Sequence, residues 1–179
     1  MILRTPRLIL RDFVPSDLSA YCALREHPDF QRLRTERDVS TERSAELLHE
    51  FVGWAVESPR SRYQLAIEKP EDGLIGSCGV RITAADHAEA SFGCELGQEH
   101  WGKGYAFEAS RALIAFAFAE LGLHRIHAET LANNQAALSL ARRLGMRVEG
   151  RHKETRWIRG KWWDTVTLAM LDSEGESEG

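Results

Sequence analysis

The sequence predicts a single mixed α/β (α+β) domain, one sheet carrying helices on its faces. Three observations predict it. Segments of period two alternate along the chain with segments of period 3.6, the pattern of strands and helices that share one core. Glycine, proline and Asx residues stand at the junctions, where turns and caps are needed. The chain has 179 residues, 43% hydrophobic and 28% charged, enough to bury a core without disulfides or a structural metal.

Leu8-Ile9-Leu10, between Arg7 and Arg11, reads as the first strand. Pro15 closes it, and Ser16 or Asp17 can cap the helical stretch from Asp17 to about Glu57. That stretch breaks near Pro28 and again at Asp38-Val39-Ser40-Thr41. Ser40 or Thr41 can cap its second part, where Ala45, Leu48, Val52 and Ala55 or Val56 recur at helical spacing. Tyr63 to Glu68, Leu74 to Thr83 and Ser91 to Leu96 are the next strands, the first two joined by the turn Glu71-Asp72-Gly73. A helix from about Tyr105 to Glu120 stops at Gly122. Arg125 to Leu131 is a strand, Asn133 or Asn134 caps a helix that Gly145 ends, and Arg147 to Trp157 and Trp162 to Leu171 flank the turn Arg159-Gly160. Residues 1–171 therefore form one domain. Residues 172–179 contain no apolar side chain and read as an acidic, disordered tail.

Several function classes are excluded early. The net charge is −4, and part of the acidic excess sits in the tail. The nearly neutral body argues against a nucleic-acid binder held by phosphate neutralisation. The cysteines Cys22, Cys78 and Cys94 are odd in number and form no C-x-x-C pair, as expected for reduced, cytosolic thiols. The first residues lack the apolar core of a signal peptide, and no apolar run approaches the ~18 residues of a membrane span. The histidines show no zinc-ligand spacing. A cytoplasmic protein with no metal, no membrane contact and no nucleic-acid partner is expected.

The informative stretch is Phe92-Gly93-Cys94-Glu95-Leu96-Gly97, followed after Gln98-Glu99-His100 by Trp101-Gly102-Lys103-Gly104-Tyr105-Ala106. A strand feeds a glycine-rich turn that opens a helix. Such a turn aims several backbone N–H groups at one point, where the helix adds a partial positive charge, and together they can hold a phosphate or pyrophosphate. Gly104 permits close backbone approach, and Lys103 can add a point charge. The same spacing also fits a tight strand–helix turn with no ligand. It matches neither a Walker loop nor a dinucleotide fingerprint, which fails at Phe107.

The stretch resembles the pyrophosphate loop of the GNAT superfamily of N-acetyltransferases, Gln/Arg-x-x-Gly-x-Gly/Ala. Trp101 to Ala106 matches the last four positions, with Trp101 in place of the usual Gln or Arg, as in the RimJ/RimL branch. Thr5-Pro6-Arg7-Leu8-Ile9-Leu10-Arg11 resembles that branch's opening strand. Leu121 to Ile126, Asn134 with Leu144-Gly145-Met146, and Asp164 after Gly160-Lys161-Trp162-Trp163 resemble later elements in the right order. The resemblance implies a mostly antiparallel sheet whose fourth and fifth strands splay apart, and acetyl-coenzyme A as donor. The donor's pantetheine arm would pair with the backbone of Glu95 and Leu96. The Leu96 N–H would polarise the thioester carbonyl, and Asn134 would contact the arm. Arg143 could reach a phosphate, or be a solvated helix charge.

Acyl transfer needs a base for the amine and an acid for the thiolate. The resemblance places the acid at Ala137 or, in other branches, at Ala141, so both usual acids are missing; Tyr105 and Ser139 are weaker substitutes, Ser139 expected to face away. Glu95 and Glu129 are the carboxylates on the two splayed strands and the candidate bases, with His127 a third. An α-amine, with a pKa of ~7.7–8.0 against ~10.4 for lysine, demands least of such a set. The expected acceptor is therefore a protein or peptide N-terminus. A small-molecule amine, or a non-catalytic acyl-coenzyme A binder, remains the alternative, and a homodimer is possible. The early helices, with Arg25, His27, Arg32, Arg34 and Arg37, and the last hairpin, with Trp162 and Trp163, would build the acceptor side.

Overall fold

In the computed structural model, which describes residues 1–83 and 88–174, the chain opens with β1 (Ile2–Arg4) and β2 (Ile9–Asp12). Helices α1 (Leu18–Glu26), α2 (Pro28–Gln31) and α3 (Thr41–Ala55) follow, then β3 (Arg62–Lys69), β4 (Gly73–Ile82) and β5 (Glu89–Leu96). Next come α4 (Tyr105–Ala119), β6 (Arg125–Leu131), α5 (Gln135–Arg143), β7 (Arg147–Ile158) and β8 (Lys161–Leu171). The strands form one eight-stranded sheet in the order β1-β2-β3-β4-β5-β6-β8-β7. Among the described residues only β5 and β6 pair in parallel; the other pairs are antiparallel.

The expected fold class and its helices on both faces are present. On one face α1 and α3 bury Tyr21, Leu48 and Phe51 against Phe13 and Ala66. On the other, Ala109, Leu113 and Ala117 of α4 and Leu138 of α5 pack on Ile75, Val80, Ala90 and Leu96. Leu113 is fully buried, which is worth roughly 1.5–3 kcal/mol for one such side chain. Turn chemistry fixes the breaks. Ser40 caps α3 by accepting the Arg43 N–H, and Asn134 caps α5 by accepting the Ala137 N–H. Gly122 and Gly145 end α4 and α5 with φ of +63° and +89°.

Three details differ from the sequence reading. The opening strand is a hairpin: Ile2–Arg4 pairs with Ile9–Arg11, with Pro6 outside the ladder. The strands counted fourth and fifth from the sequence are therefore β5 and β6. Asp17 does not cap α1; its carboxylate reaches back to the Val14 N–H and to Arg11. The acidic run is ordered at its start: Asp172–Glu174 form a 3-10 turn, Glu174 accepts the Leu171 N–H and pairs with Arg147. Residues 175–179 of that run lie outside the described residues. No helix among the described residues is long and apolar enough to cross a membrane.

Candidate active site

The site begins where two parallel strands part. Among the described residues β5 and β6 pair only through Glu89–Arg125, Ala90–Ile126 and Ser91–His127; beyond Ser91 they diverge, as the resemblance implies. The Gly97 N–H bonds the Ile75 carbonyl at 2.9 Å, which sets the alternation of the β4–β5 ladder. Glu95 therefore turns its backbone toward Ser77 of β4, and Cys94 and Leu96 turn theirs into the gap. This corrects one expectation: the backbone that faces the gap belongs to Cys94 and Leu96, not to Glu95. The Leu96 carbonyl is taken by the Trp101 indole N–H at 2.9 Å. Its N–H points into the gap without a ladder partner.

The glycine turn lies at the wide end. Gly102 has φ of +71° and Gly104, the residue preceding α4, +83°, values that L side chains adopt rarely. A Cβ at Gly104 would meet no backbone, so the backbone conformation rather than crowding requires glycine there. Gly104 offers no side-chain cap, and the Tyr105, Ala106 and Phe107 N–H groups of the first turn have no intrahelical acceptor. Arg143 of α5 stacks over the Phe107 ring at 4.6 Å, at the same opening. The turn, Cys94 to Leu96, Asn134 and Arg143 together line a cavity of about 610 Å³. Backbone donors at one end and an open strand edge along one side fit a pyrophosphate joined to an extended, amide-bearing arm.

A second cavity, of about 550 Å³, opens on the other side of the gap and shares Leu33, Arg34 and Asn134 with the first. Glu129, Asp38, Thr155, Trp157 and Trp162 line it. Trp157 and Trp162 stand edge to face at 5.3 Å, each about half exposed. Arg159 at the hairpin tip donates to the Arg34 and Gln31 carbonyls, tying the hairpin to the segment after α2. An irregularity in β7 between His152 and Arg156, with Glu154 at φ +52°, redirects Thr155 and Arg156 toward this cavity.

The two candidate carboxylates sit in unlike surroundings. Glu95 accepts from Tyr21 (3.0 Å), Ser77 (3.2 Å), Arg25 (3.2 Å) and Arg34 (3.5 Å). Arg25 is buried, held by Ser44 and the Asp38 carbonyl. Burial and the Glu95 charge both push the Tyr21 phenol up, so it stays a neutral donor. Behind Ser77 the network runs on through Gln64 to Arg81. Gly79 makes room for it, since a Cβ there would lie 2.1 Å from Gln64 Oε1. Glu129 is half exposed and has one ion-pair partner, Arg156 at 3.0 Å. His127 lies at the zipped end of β6, its Nδ1 3.0 Å from Glu89.

Of the expected residues, Glu95, Leu96, Trp101, Gly102, Gly104, Tyr105, Ala106, Asn134 and Arg143 line the first cavity. Lys103 lies within the turn but not on that lining, and Glu129 belongs to the second cavity. Ala137 lines the first cavity while Ala141 is buried, so neither position offers a hydroxyl. Ser139, expected to face away, lines the cavity. Tyr21 and Ser77 were missed, because nothing in their local sequence marks them as partners of Glu95.

An open strand edge beside a helix-opening glycine turn suits an acyl-coenzyme A donor, and the acetyltransferase (GNAT) domain model matches residues 7–147. The chain belongs to the GNAT acetyltransferases and is an acetyl-coenzyme A-dependent N-acetyltransferase, moving an acetyl group to an amine. It is 29% identical over 175 residues to the uncharacterized N-acetyltransferase p20 of Bacillus licheniformis, covering 96% of this chain and 97% of p20. A spermidine N(1)-acetyltransferase of Vibrio cholerae is 27% identical over 111 residues, 62% of this chain and 64% of its own. The solved structure of RimL, a ribosomal L7/L12 alpha-N-protein acetyltransferase in complex with coenzyme A, shares the fold with a TM-score of 0.83. That likeness spans 96% of this chain and 98% of RimL at 18% identity.

Proposed function

We propose that the acceptor is the α-amine of a protein or peptide N-terminus, attacked directly in a ternary complex. The observation that carries this reading is the second cavity: it opens widely to the surface and meets the first at Arg34 and Asn134. A chain end can enter such a cleft while the rest of the peptide stays outside. Asp38 and Glu129 suit an ammonium, and the exposed indoles of Trp157 and Trp162 suit the side chains beside it. RimL, named for an alpha-N-protein substrate, supports the same class. The unpaired thiols Cys22, Cys78 and Cys94 suit a reducing cytoplasm.

In this reading the Trp101–Ala106 turn and Arg143 hold the donor's phosphates, and Asn134 holds its arm. The Leu96 N–H stabilises the oxygen as the thioester carbonyl becomes tetrahedral. Glu129, with a single exposed partner, takes the proton of the amine directly or through water. Glu95, bonded by Tyr21, Ser77 and two arginines, serves to hold α1 and the Arg34 segment against β5. Water protonates the departing thiolate, a tolerable leaving group with a pKa of ~8.5.

Initial rates on an N-terminal peptide, the same peptide blocked at its α-amine with a free lysine, and spermidine test the acceptor. The α-amine peptide is expected to react fastest. A faster lysine or spermidine reaction overturns the class, and tight coenzyme A binding with no turnover on any of them overturns catalysis itself.

A further inference from the structure

Two segments a hundred residues apart in sequence meet beside the glycine turn. Thr5 Oγ1 donates to Glu108 Oε1 at 2.6 Å, and the Arg7 backbone N–H donates to the same oxygen at 2.9 Å. Arg7 Nε donates to Glu108 Oε2 at 2.6 Å. Arg7 Nη1 then donates to the Lys103 carbonyl at 3.2 Å, and the guanidinium lies 4.6 Å over the Tyr105 ring. A Cβ on Gly104 would stand 3.5 Å from Arg7 Nη2. The N-terminal hairpin thus grips the turn through Thr5 and Arg7, which do not line the cavity.

Glu108 gives this contact an electrostatic purpose. A carboxylate in the first turn of a helix stabilises the helix itself, but it opposes an anion bound at the same helix end. Burial raises the pKa of Glu108, yet the bonds from Thr5 and Arg7 outweigh it and hold the group below the usual carboxylate range. The charge therefore stays, and Arg7 neutralises it. Arg7 also engages the Lys103 carbonyl, which otherwise presents a negative oxygen beside the N–H groups of the turn.

We propose that Arg7, set in place by Glu108, is a positioning residue of the donor's pyrophosphate site: it cancels the carboxylate at the head of α4 and fixes the turn from behind. The proposal rests on reading the turn as the site of a pyrophosphate-bearing donor. Its ligand class is a pyrophosphate, so a donor fragment without one should not sense Arg7.

Equilibrium binding of coenzyme A and of pantetheine, which lacks the pyrophosphate, tests it on wild type, Arg7→Ala, Arg7→Lys and the double variant Arg7→Ala/Glu108→Gln. Arg7→Ala should weaken coenzyme A binding about five- to thirtyfold, the range of helix-end charge effects and charge-assisted hydrogen bonds. Pantetheine binding should not change. Arg7→Lys, which keeps the charge but not the fork, should fall between, and it serves as the test if Arg7→Ala does not fold. Removing the uncompensated carboxylate in the double variant should restore part of the loss. Equal losses for both ligands, no loss in Arg7→Ala, or a double variant weaker than the single one overturns the proposal. If wild type binds coenzyme A no better than pantetheine, the reading of the turn fails instead.

Discussion

Glu129 on β6 accepts a 3.0 Å hydrogen bond from Arg156 on β7, across the intervening strand β8. The side chains are 44% and 63% exposed, so the pair is worth at most about 1 kcal/mol and opens readily. Glu129→Gln should lower the chemical rate about 10²-fold, the lower end for general acid–base catalysis, with the acetyl-coenzyme A KM unchanged. Arg156→Ala should leave the rate at or above wild type, because it frees the carboxylate. A pH series of initial rates reads both. If Glu129→Gln keeps the wild-type rate, positioning and the Leu96 N–H carry the reaction alone.

Gly104→Val places a β-branched residue at φ +83°, a conformation that strains it by roughly 1–3 kcal/mol. The turn must rearrange to relieve it, and the N–H groups of Tyr105 to Phe107 lose their common aim. Coenzyme A affinity should fall more than about tenfold, a loss of over ~1.4 kcal/mol, while the far-UV spectrum stays native. Calorimetric titration measures it, and an unchanged affinity in the folded variant contradicts the site.

Ala137 lines the first cavity from the first turn of α5, its N–H already bonded to Asn134 at 3.2 Å. A hydroxyl there could protonate the departing thiolate. Ala137→Ser should raise turnover a few-fold, well short of the ~10²–10⁴ of an optimised acid. No gain in a folded variant means that protonation by water is not limiting.

Acid should unfold the protein partly through Asp17. Burial alone raises its pKa, but the bonds from Arg11 and the Val14 N–H outweigh burial and hold it below the ordinary value. A carboxyl lowered in the folded state stabilises it above the unfolded pKa of ~3.9, and that contribution fades as pH falls toward the folded value. Stability should therefore hold through the neutral range and decline below about pH 4. Arg11→Ala should move the acid-unfolding midpoint upward, as followed by circular dichroism.

The glycine turn was legible because its chemistry is local: Gly102 and Gly104 take φ above +70°, and a helix begins directly after. Strand and helix placement was legible from periodicity, Ser40 and Asn134 from cap chemistry. The phase of β5 was not. Which backbone faces the gap depends on the ladder with β4, and Phe92-Gly93-Cys94-Glu95-Leu96 does not alternate clearly enough to show it. The donors around Glu95 come from β4, α1 and the segment after α2, so only the tertiary fold brings them together. The hairpin partner Ile2–Arg4 escaped notice because three residues are too few to establish a period.

The parting of β5 from β6 leaves the Cys94 and Leu96 amides in the middle of a sheet yet without strand partners. In heavy water these two should exchange quickly in the free protein, while Gly97, bonded to Ile75, exchanges slowly beside them. If the donor's arm pairs with this edge as proposed, its carbonyls supply the missing acceptors, and donor binding should convert both to slow exchange. The protection of these two amides and the melting temperature should then rise together with coenzyme A concentration.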